Sequence, residues 1–235
     1  MINKELLKQY CGEIGVCLSE TALENFDIYA SELVEANKVM NLTAITEPDE
    51  IVVKHFTDSL ELLRYADVKD GARMIDVGTG AGFPGLPLLI ARNDLKLTLL
   101  DSLRKRLDFL EGVLNACSLD AEIVHSRAED AGKESELRES FDIATARAVA
   151  PLNVLAEYCL PFVKIGGYFV ALKGSSEETQ TANGAVSLLG GKIEDNVSYK
   201  LPNGDPRSIV IIKKISQTPT IYPRKPKKIA ASPLE

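Results

Sequence analysis

The sequence of 235 residues has none of the features that mark several specialised classes of protein. No stretch approaches the roughly 20 consecutive apolar residues of a membrane-spanning helix, and the first residues, Met1–Glu5, lack the pattern of a signal peptide. The four cysteines form no C-x-x-C pair, so we expect no metal site and no redox pair. We expect them instead to be small buried side chains of a cytoplasmic protein, because thiols stay reduced in that compartment.

The overall composition is ordinary, but the charge is unevenly distributed. Hydrophobic residues make up 45% and charged residues 26%, which is typical of a soluble protein with one large domain and room for an appendage. The net charge is −7, yet residues 200–235 carry eight Lys/Arg and two acidic residues, a net +6, against −13 for the first 199 residues. The acidic balance argues against indiscriminate nucleic-acid binding and leaves room for a local basic patch in the C-terminal segment.

The most informative stretch is residues 73–85. A short apolar run with an acid, Met74–Val77, predicts a buried strand, and the turn after it carries four glycines, Gly78, Gly80, Gly82 and Gly85. An apolar helix begins near Leu86. Glycines let a ligand approach the backbone closely, and a helix N-terminus presents unpaired N–H groups. The stretch therefore predicts a nucleotide-type site at the carboxyl end of a parallel strand.

The glycines alone leave the cofactor open. The spacing Gly80-x-Gly82-x-x-Gly85, with Asp101 16 residues later, fits a dinucleotide-binding turn and its ribose-binding acid. The spacing Asp76-x-Gly78-x-Gly80-x-Gly82 also fits the turn of S-adenosylmethionine methyltransferases, in which an acid stands two residues before the first glycine. Asp76 and Gly78 would be surplus in a dinucleotide site, which favours the methyl donor. A glycine-rich turn without a ligand is the third alternative.

The chain before this stretch is helical in pattern. Apolar residues at helical spacing predict helices over residues 2–40, with Ser19 capping the second, and a further helix from Pro48 to Leu63. A segment of this size is too small for a core of its own. We therefore predict an N-terminal helical extension, residues 1–70, that packs on the main domain.

After residue 73, apolar strands alternate with helices, which predicts a parallel α/β sheet. The predicted strands are residues 74–77, 95–101, 121–126, 141–145 and 166–173, and the predicted helices are 86–91, 104–117, 151–163 and 175–189. Two final strands, 192–201 and 208–215, flank a Pro/Asn/Gly turn and predict an antiparallel hairpin on the sheet edge. The main domain is thus expected over residues 71–216 and a basic C-terminal tail over residues 217–235.

The closing hairpin favours one cofactor over the other. Five parallel strands with helices, finished by an antiparallel pair, are the arrangement of class I methyltransferases. A dinucleotide dehydrogenase would normally need a second βαβαβ half and a substrate domain, for which the chain lacks residues. The predicted fold is α/β, a Rossmann-like class I S-adenosylmethionine-dependent methyltransferase sheet with a terminal antiparallel hairpin and an N-terminal helical extension.

Short motifs along the whole chain carry a resemblance to a known family. They are Asn41-Leu-Thr-Ala-Ile45, His55-Phe-Thr-Asp-Ser59, Ile75-Asp-Val-Gly-Thr-Gly-Ala-Gly-Phe-Pro-Gly85, Leu99-Leu-Asp-Ser102, Ser126-Arg-Ala-Glu129, Thr145-Ala-Arg-Ala148, Ala171-Leu-Lys-Gly174 and Tyr222-Pro-Arg-Lys225. The glycine loop alone is shared by many methyltransferases, but its combination with the other motifs is highly specific. The sequence resembles the bacterial 16S ribosomal RNA methyltransferase G family, also called the glucose-inhibited division protein B family.

The resemblance implies a specific reaction, the transfer of a methyl group from S-adenosylmethionine to N7 of one guanine in 16S rRNA of the small ribosomal subunit. No membrane and no protein partner is implied. The resemblance also implies that the positions matching the family's cofactor site are Gly78, Phe83, Ala128, Glu129 and Arg147. From the residues alone, Phe83 could equally belong to the core, and Glu129 could be a solvated surface charge.

Two further residues are expected at the donor because of their positions. Gly80 should let the backbone approach the donor, so a bulkier residue there is expected to block binding. Asp101, at the end of the second strand, is placed to accept hydrogen bonds from both ribose hydroxyls. The alternative for Asp101 is the cap of the next helix, a role for which Ser102 competes.

Arg147 is the candidate for a catalytic role. It ends the fourth strand among alanines, so we expect it to face the cleft rather than a network of ion pairs and to position donor and substrate. It could grip the donor's carboxylate or the guanine O6, with N7 left free for attack. Guanine N7 has an in-plane lone pair and no proton, and a sulfonium methyl is already activated, so no general base is expected. The remaining alternative is a non-catalytic nucleotide-binding module.

Basic residues elsewhere are candidates for RNA contact. Lys173 closes the fifth strand and either meets a phosphate or is an ordinary surface lysine. In the tail, the candidates for phosphate contact are Arg224, Lys225, Lys227 and Lys228, and the alternative is a disordered end. His55 and Asp58, three residues apart on one helical face, are either a buried hydrogen-bonded pair or part of the substrate wall.

Overall fold

A computed structural model describes residues 1–147, 150–174 and 179–235. In this part of the chain, seven strands form one mixed sheet in the order β3-β2-β1-β4-β5-β7-β6. The strands are β1 (Arg73–Val77), β2 (Lys96–Asp101), β3 (Glu122–His125), β4 (Phe141–Arg147), β5 (Val163–Lys173), β6 (Gly191–Lys200) and β7 (Pro206–Lys214). The first five are parallel, as the alternating pattern predicts.

The helices before the sheet form the N-terminal extension, and the others connect the strands or follow them. Those of the extension are α1 (Lys4–Glu13), α2 (Glu20–Met40), α3 (Pro48–Ile51), α4 (Asp58–Leu60) and α5 (Leu62–Tyr65). Those that follow are α6 (Gly85–Ala91), α7 (Arg104–Cys117), α8 (Ala128–Ala131), α9 (Leu152–Cys159), α10 (Thr179–Leu188) and α11 (Pro226–Ala231). The short helices α8 and α11 are not predicted from the sequence. None of the helices in the described ranges has the length and apolar character needed to cross a bilayer.

The terminal hairpin is present, but its strands are arranged in an order that the local pattern does not reveal. The last strand, β7, pairs antiparallel with β5, and β6 lies outside it at the sheet edge. Residues 208–212 of β7 are all buried, whereas β6 is mostly exposed or half-buried. The more apolar strand occupies the inner position because both of its faces are covered there.

The sheet has an apolar core on each face, and the extension contributes to one of them. Leu7, Phe26, Leu33 and Phe56 of the extension are fully buried in the same cluster as side chains of α6 and α7. The second cluster joins the other face of the sheet to α9 and α10. This packing places the end of α2 and the α3–α5 region beside the carboxyl edge of the sheet.

Residues 52–57 depart from the continuous helix that the sequence predicts. The structure has π-helical turns over Val52–Thr57, between α3 and α4. Such wider turns are rare and frequently occur at functional sites. His55 lies within this segment and Asp58 directly after it, so the regular spacing expected for one α-helical face does not apply.

The four cysteines are free, and three of them fit the expectation of buried thiols. Cys11, Cys117 and Cys159 are buried, whereas Cys17 is exposed in the connection between α1 and α2.

The strand order places a crevice between β1 and β4. The chain proceeds outwards from β1 to β3, and then returns to β4 on the other side of β1. In open α/β sheets, ligands bind at the carboxyl ends of the strands where the order reverses in this way. The glycine-rich turn and Arg147 both lie at this point.

Candidate active site

The turn after β1 has a left-handed backbone that favours glycine. Gly78, Gly80 and Gly82 have φ values of +70°, +62° and +105°. A residue with a side chain would raise the conformational free energy of the backbone by about 1–2 kcal/mol at such a position. The N–H groups of Gly78 and Thr79 donate to the carbonyl of Leu100 in β2, at 2.8 and 3.1 Å. The turn is thereby anchored to the neighbouring strand.

Asp76 lies beneath the turn and holds it closed. Its side chain is fully buried, and Oδ2 accepts hydrogen bonds from Thr79 Oγ1 at 2.7 Å and from the Gly85 N–H at 2.9 Å. Burial raises the pKa of Asp76 to about 6. A Cβ atom at Gly85 would lie only 2.9 Å from Cβ of Asp76. The acid of the sequence motif therefore acts on the shape of the turn.

The N-terminal extension supports the same turn from behind. Tyr29 of α2 is fully buried, and its hydroxyl donates a hydrogen bond to the carbonyl of Ala81. Its ring centroid lies 5.4 Å from that of Phe83. The extension is thus part of the framework of the site.

A cavity of about 540 Å³ lies between this turn, the ends of β2 and β4, and α8. Small-molecule sites typically enclose about 300–1,000 Å³. The residues expected at the donor all line this cavity: Gly78, Gly80, Phe83, Asp101, Ala128, Glu129 and Arg147. They meet there because they follow the carboxyl ends of four parallel strands.

Asp101 lines the cavity at the end of β2 and does not cap the next helix. Oδ2 accepts from the Gly80 N–H at 2.9 Å, and Oδ1 accepts from the Leu103 N–H at 2.8 Å. Helix α7 begins at Arg104, and neither Asp101 nor Ser102 provides a side-chain cap for it. Oδ2 also lies 3.4 Å from Arg106 Nη1 of α7. Asp101 therefore couples the glycine-rich turn to the end of β2, and its Oδ1 atom, which has one protein donor, retains a lone pair that a ligand hydroxyl could use.

Ala128 and Glu129 begin the short helix α8 after β3. The Glu129 side chain is only 6% exposed, which rules out the alternative of a solvated surface charge. Its Oε1 atom has no hydrogen-bond partner among the described residues and lies 3.7 Å from Arg127 Nη1. A buried acceptor without a partner is costly, and a ligand that donates a hydrogen bond here would remove that cost.

Phe83 belongs both to the core and to the cavity wall. It is 6% exposed, and its ring stacks on His55 with a centroid separation of 4.3 Å. The guanidinium carbon of Arg147 lies 4.6 Å from the Phe83 centroid. Phe83 is therefore both a core residue and a residue of the cofactor cavity, and the two roles that the sequence leaves open are compatible.

Arg147 lines the cavity, but the expectation that it avoids a charge network is wrong. Its Nη1 atom donates to Asp58 Oδ2 at 3.1 Å and to the Lys54 carbonyl at 3.2 Å. Its Nη2 atom lies 3.2 Å from His55 Nδ1. The alanines around Arg147 in the sequence give no sign of these partners, because all of them come from the extension, about 90 residues earlier. Arg147 is therefore held firmly against Phe83.

His55 is a neutral imidazole whose two nitrogens are both engaged. An arginine can only donate, so Nδ1 accepts from Arg147 and Nε2–H donates to Thr43 Oγ1 at 2.9 Å. Burial, and then the positive charge of Arg147, lower the pKa of His55 to about 3. No hydrogen bond joins the side chains of His55 and Asp58 within the described part of the chain, although the Asp58 N–H donates to the His55 carbonyl. Both instead contact Arg147.

A second cavity of about 360 Å³ adjoins the first, and His55 and Arg147 line both. Lys54, Lys173 and Arg207 contribute positive charge to it, and Asp58 is the one carboxylate among the described residues that line it. Lys173 Nζ donates to the carbonyl of Ala150 at 2.8 Å. This cavity is suited by charge to an anionic ligand.

The basic tail is packed on the domain, and its four candidate residues have different environments. Arg224 is 12% exposed and forms an ion pair with Glu157 of α9, Nη2 to Oε2 at 2.7 Å. A guanidinium occupied in this way is poorly placed for a phosphate, so the structure argues against the expected RNA contact of Arg224. Lys225, Lys227 and Lys228 are exposed. The disordered alternative does not hold, because Ile229 of α11 is fully buried.

Several residues of this site have only a weak signal in the sequence. Thr43 lies in the Asn41–Ile45 motif, which the resemblance singles out without assigning it a role. Tyr199 and Arg207 lie on the terminal hairpin and contact Asp58 of the extension, at 3.2 and 3.4 Å from its Oδ1 atom. Nothing in the local sequence pattern indicates this contact. Only the folded chain brings them together.

Glu61, a buried carboxyl next to this region, gives the fold a predicted pH dependence. Its side chain is 3% exposed, and burial raises its pKa from 4.5 to about 7. Between these values the folded chain retains a proton that the unfolded chain has lost, so the stability contributed by Glu61 falls as pH rises through this window. We expect Glu61→Gln to remove about 2–3 kcal/mol of that fall. Urea unfolding of the wild type and of Glu61→Gln between pH 4.5 and about 7 measures this fall. If the free energy of unfolding depended on pH with the same slope in both proteins, the assignment to Glu61 would be contradicted.

Comparison with known proteins identifies the family. The family described as rRNA small subunit methyltransferase G matches residues 22–203. The ribosomal RNA small subunit methyltransferase G of Alkaliphilus metalliredigens is 49% identical over 100% of both chains. The chain belongs to this family. The protein of the same name from Thermoanaerobacter sp. (strain X514) is 50% identical, again over 100% of both chains.

Solved structures show the fold of the methyltransferase G chain at low sequence identity. A SAM-dependent methyltransferase from Aquifex aeolicus has a TM-score of 0.57 and 18% identity, over 74% of this chain and 97% of that one. A methyltransferase from Pyrococcus furiosus has a TM-score of 0.56 and 16% identity, over 79% and 95%. The predicted class I fold is confirmed. As a member of the methyltransferase G family, the protein is an S-adenosylmethionine-dependent methyltransferase, not a dehydrogenase or a non-catalytic module.

Proposed function

We propose that this methyltransferase G chain methylates N7 of a guanine in 16S rRNA of the small ribosomal subunit. The methyl donor would occupy the larger cavity, and the guanine would enter from the smaller, basic one. The observation that carries the proposal is the position of Arg147, which lines both cavities. The small-subunit ribosomal RNA is proposed as the substrate because the names of the relatives include it. The choice of N7 rests on the chemistry of the residues between the cavities.

The larger cavity fits S-adenosylmethionine. The buried Glu129 Oε1 atom lacks a hydrogen-bond partner in the described chain and could accept one from the donor. Oδ1 of Asp101, also buried, retains acceptor capacity at the carboxyl end of the neighbouring strand β2, suitable for a ribose hydroxyl. At Gly80, a Cβ atom would meet only Gly78 O, at 3.9 Å, so the protein itself leaves open space beside the turn. These groups would hold the donor, which when bound supplies a methyl carbon activated by its sulfonium.

The residues around Arg147 favour an acceptor that needs no deprotonation. His55 cannot take a proton readily, because both ring nitrogens are engaged and its pKa is lowered to about 3. Asp58 already accepts from Arg147 and from Tyr199, the latter at 3.2 Å. An exocyclic amine or a hydroxyl would need a general base to become a good nucleophile, whereas guanine N7 has an available lone pair. We therefore propose direct in-line attack by N7.

In this proposal Arg147 contributes by positioning. A guanidinium edge beside the base could donate to O6 and leave N7 free for the methyl carbon. Correct alignment of two reactants can supply roughly 7–11 kcal/mol of the barrier reduction. Lys173, which lines the smaller cavity, would contact a phosphate next to the target guanine. No side chain is required to take up a proton.

The test is methyl transfer from radiolabelled S-adenosylmethionine to the RNA of cells that lack the protein. Small-subunit particles, free 16S rRNA and large-subunit RNA are assayed side by side, and the labelled product is digested to nucleosides. The expected product is 7-methylguanosine, with at most one labelled methyl group for each 16S rRNA molecule. Label in another nucleoside would overturn the assignment to N7, and label in large-subunit RNA alone would overturn the proposed substrate.

The tail is expected to add salt-dependent affinity for RNA through its exposed lysines. Replacement of Lys225, Lys227 and Lys228 by alanine should reduce the slope of log affinity against log salt concentration by about 2, because fewer counterions are released. Filter binding of small-subunit RNA at several salt concentrations measures this. The matched control is Arg224→Ala, which should leave the slope unchanged but lower the free energy of unfolding by about 3 kcal/mol, because Glu157 is left buried and unpaired. An unchanged slope in the triple variant would exclude the tail from RNA binding.

A further inference from the structure

Asp58 joins three parts of the chain that are distant in sequence. It lies at the start of α4 in the extension, with a side chain that is 5% exposed. Its Oδ2 atom accepts from Arg147 Nη1 at 3.1 Å, at the end of β4. Its Oδ1 atom accepts from the Tyr199 hydroxyl at 3.2 Å and lies 3.4 Å from Arg207 Nε. The two oxygens thus contact different elements.

The two hairpin residues that contact Asp58 lie side by side. Tyr199 of β6 and Arg207 of β7 are directly opposite each other in the strand register. Opposite residues in an antiparallel pair point to the same face, so both side chains reach Asp58 from one side. Burial and the nearby carboxylates raise the pKa of Tyr199, so its hydroxyl remains a donor. The hairpin therefore does more than complete the sheet.

We propose that Asp58 is a positioning residue for methyl transfer, whose carboxylate holds the Arg147 guanidinium between the two cavities and is itself held by Tyr199 and Arg207. The inference rests on the proposed function in one respect, which is that Arg147 positions the reactants between the two cavities. It extends the role of the N-terminal extension from packing to the organisation of the site.

Charge explains why a carboxylate is needed there. Arg147 and Arg207 both point at Asp58, so its negative charge separates two cations that would otherwise repel each other. Asparagine has nearly the same shape but cannot neutralise either guanidinium. In Asp58→Asn, Arg147 would be expected to move away from Arg207 and lose its orientation over Phe83. Because a displacement of 1 Å can cost about 100-fold in rate, the effect should appear mainly in turnover.

The experiment is a double-mutant cycle on the full-length protein, with label transfer into total small-subunit RNA as the readout. We expect Asp58→Asn to lower kcat at least tenfold while the Kd of S-adenosylhomocysteine, from calorimetry, stays within threefold. In an Arg147→Lys background, the same change should cost less than twofold, because lysine cannot make the same set of contacts. Tyr199→Phe should lower kcat two- to fivefold in the wild type and leave Arg147→Lys unaffected.

The control is Glu61→Gln, which removes a buried carboxylate three residues further along that does not contact Arg147. It should leave kcat within twofold at pH 7.5. Equal losses in both backgrounds would mean that Asp58 acts independently of Arg147 and would overturn the inference. If Asp58→Asn does not fold, Tyr199→Phe is compared in the same two backgrounds. An equal loss of kcat in both would again overturn the inference. The nucleoside that carries the label tests the proposed function separately, because the cycle is scored on total transfer.

Discussion

Replacement of Arg147 by alanine is expected to reduce methyl transfer by about 100-fold or more. The side chain donates to the Lys54 carbonyl and to Asp58, contacts the His55 ring nitrogen, and lies over the Phe83 ring. Its loss would remove the group that faces both cavities and would free His55 and Phe83 to change position. Single-turnover label transfer with saturating donor and small-subunit particles measures the rate.

The same variant should also lose stability. Breaking a buried ion pair typically costs about 3–5 kcal/mol, because the remaining charge is left uncompensated. Asp58 keeps Tyr199 and Arg207 as partners, so we expect the lower end of that range, about 3 kcal/mol. Turnover and donor affinity both within twofold of the wild type would contradict the role proposed for Arg147.

The matched control is Arg92→Ala. Arg92 is also an arginine with two carboxylate partners, Asp94 at 2.7 Å and Asp70 at 2.9 Å, but it does not line either cavity of the site. Its partners are largely exposed, so its removal should cost less than about 1 kcal/mol. Methyl transfer should be unchanged. An equal loss of activity in the two variants would indicate a general effect of removing an arginine.

Gly82→Ala is expected both to weaken donor binding and to destabilise the turn. Gly82 has a φ of +105°, and a Cβ atom there would lie 2.7 Å from both the Tyr29 hydroxyl and Leu110 Cδ2. The strained backbone and the overpacking together should cost about 3 kcal/mol of stability. Displacement of the turn would also move Gly80 and Ala81, so we expect at least a tenfold rise in the Kd of S-adenosylhomocysteine by calorimetry.

The control for this prediction is Gly112→Ala in α7. A Cβ atom at Gly112 would have no neighbour within 4 Å. Alanine is favoured over glycine in a helix interior by roughly 0.5–1 kcal/mol, so this variant should be slightly more stable and bind the ligand normally. If Gly82→Ala also bound normally and unfolded at the wild-type denaturant concentration, the turn would be more adaptable than its contacts indicate.

Much of the donor site follows from local patterns in the sequence. Apolar runs between glycine-rich turns indicate buried parallel strands, and the carboxyl ends of such strands must lie on one edge of the sheet. This is why Gly78, Asp101, Glu129 and Arg147 can be assigned to one cavity although they are spread over 70 residues. The spacing of Asp76 and Gly78 and the closing hairpin favour the methyl donor, and the resemblance to a known family adds the RNA acceptor and the methylated atom, which no spacing provides.

Other features depend on which residues meet in three dimensions. No local sequence pattern indicates that β7 lies between β5 and β6 in the sheet. The same is true of the burial of Glu129 and of the ion pair between Arg224 and Glu157. An arginine among alanines looks unpaired along the chain, yet Arg147 meets Asp58 from 89 residues earlier.

The amino-acid pattern alone therefore determined the class of fold, the glycine-rich turn and the edge of the sheet at which a ligand binds, because these depend on neighbours within a few residues. Only the tertiary structure decided how the charged groups are paired and that the extension and the hairpin both reach Arg147. Coulombic and hydrogen-bond partners are selected by distance in the folded chain, and sequence separation does not encode that distance.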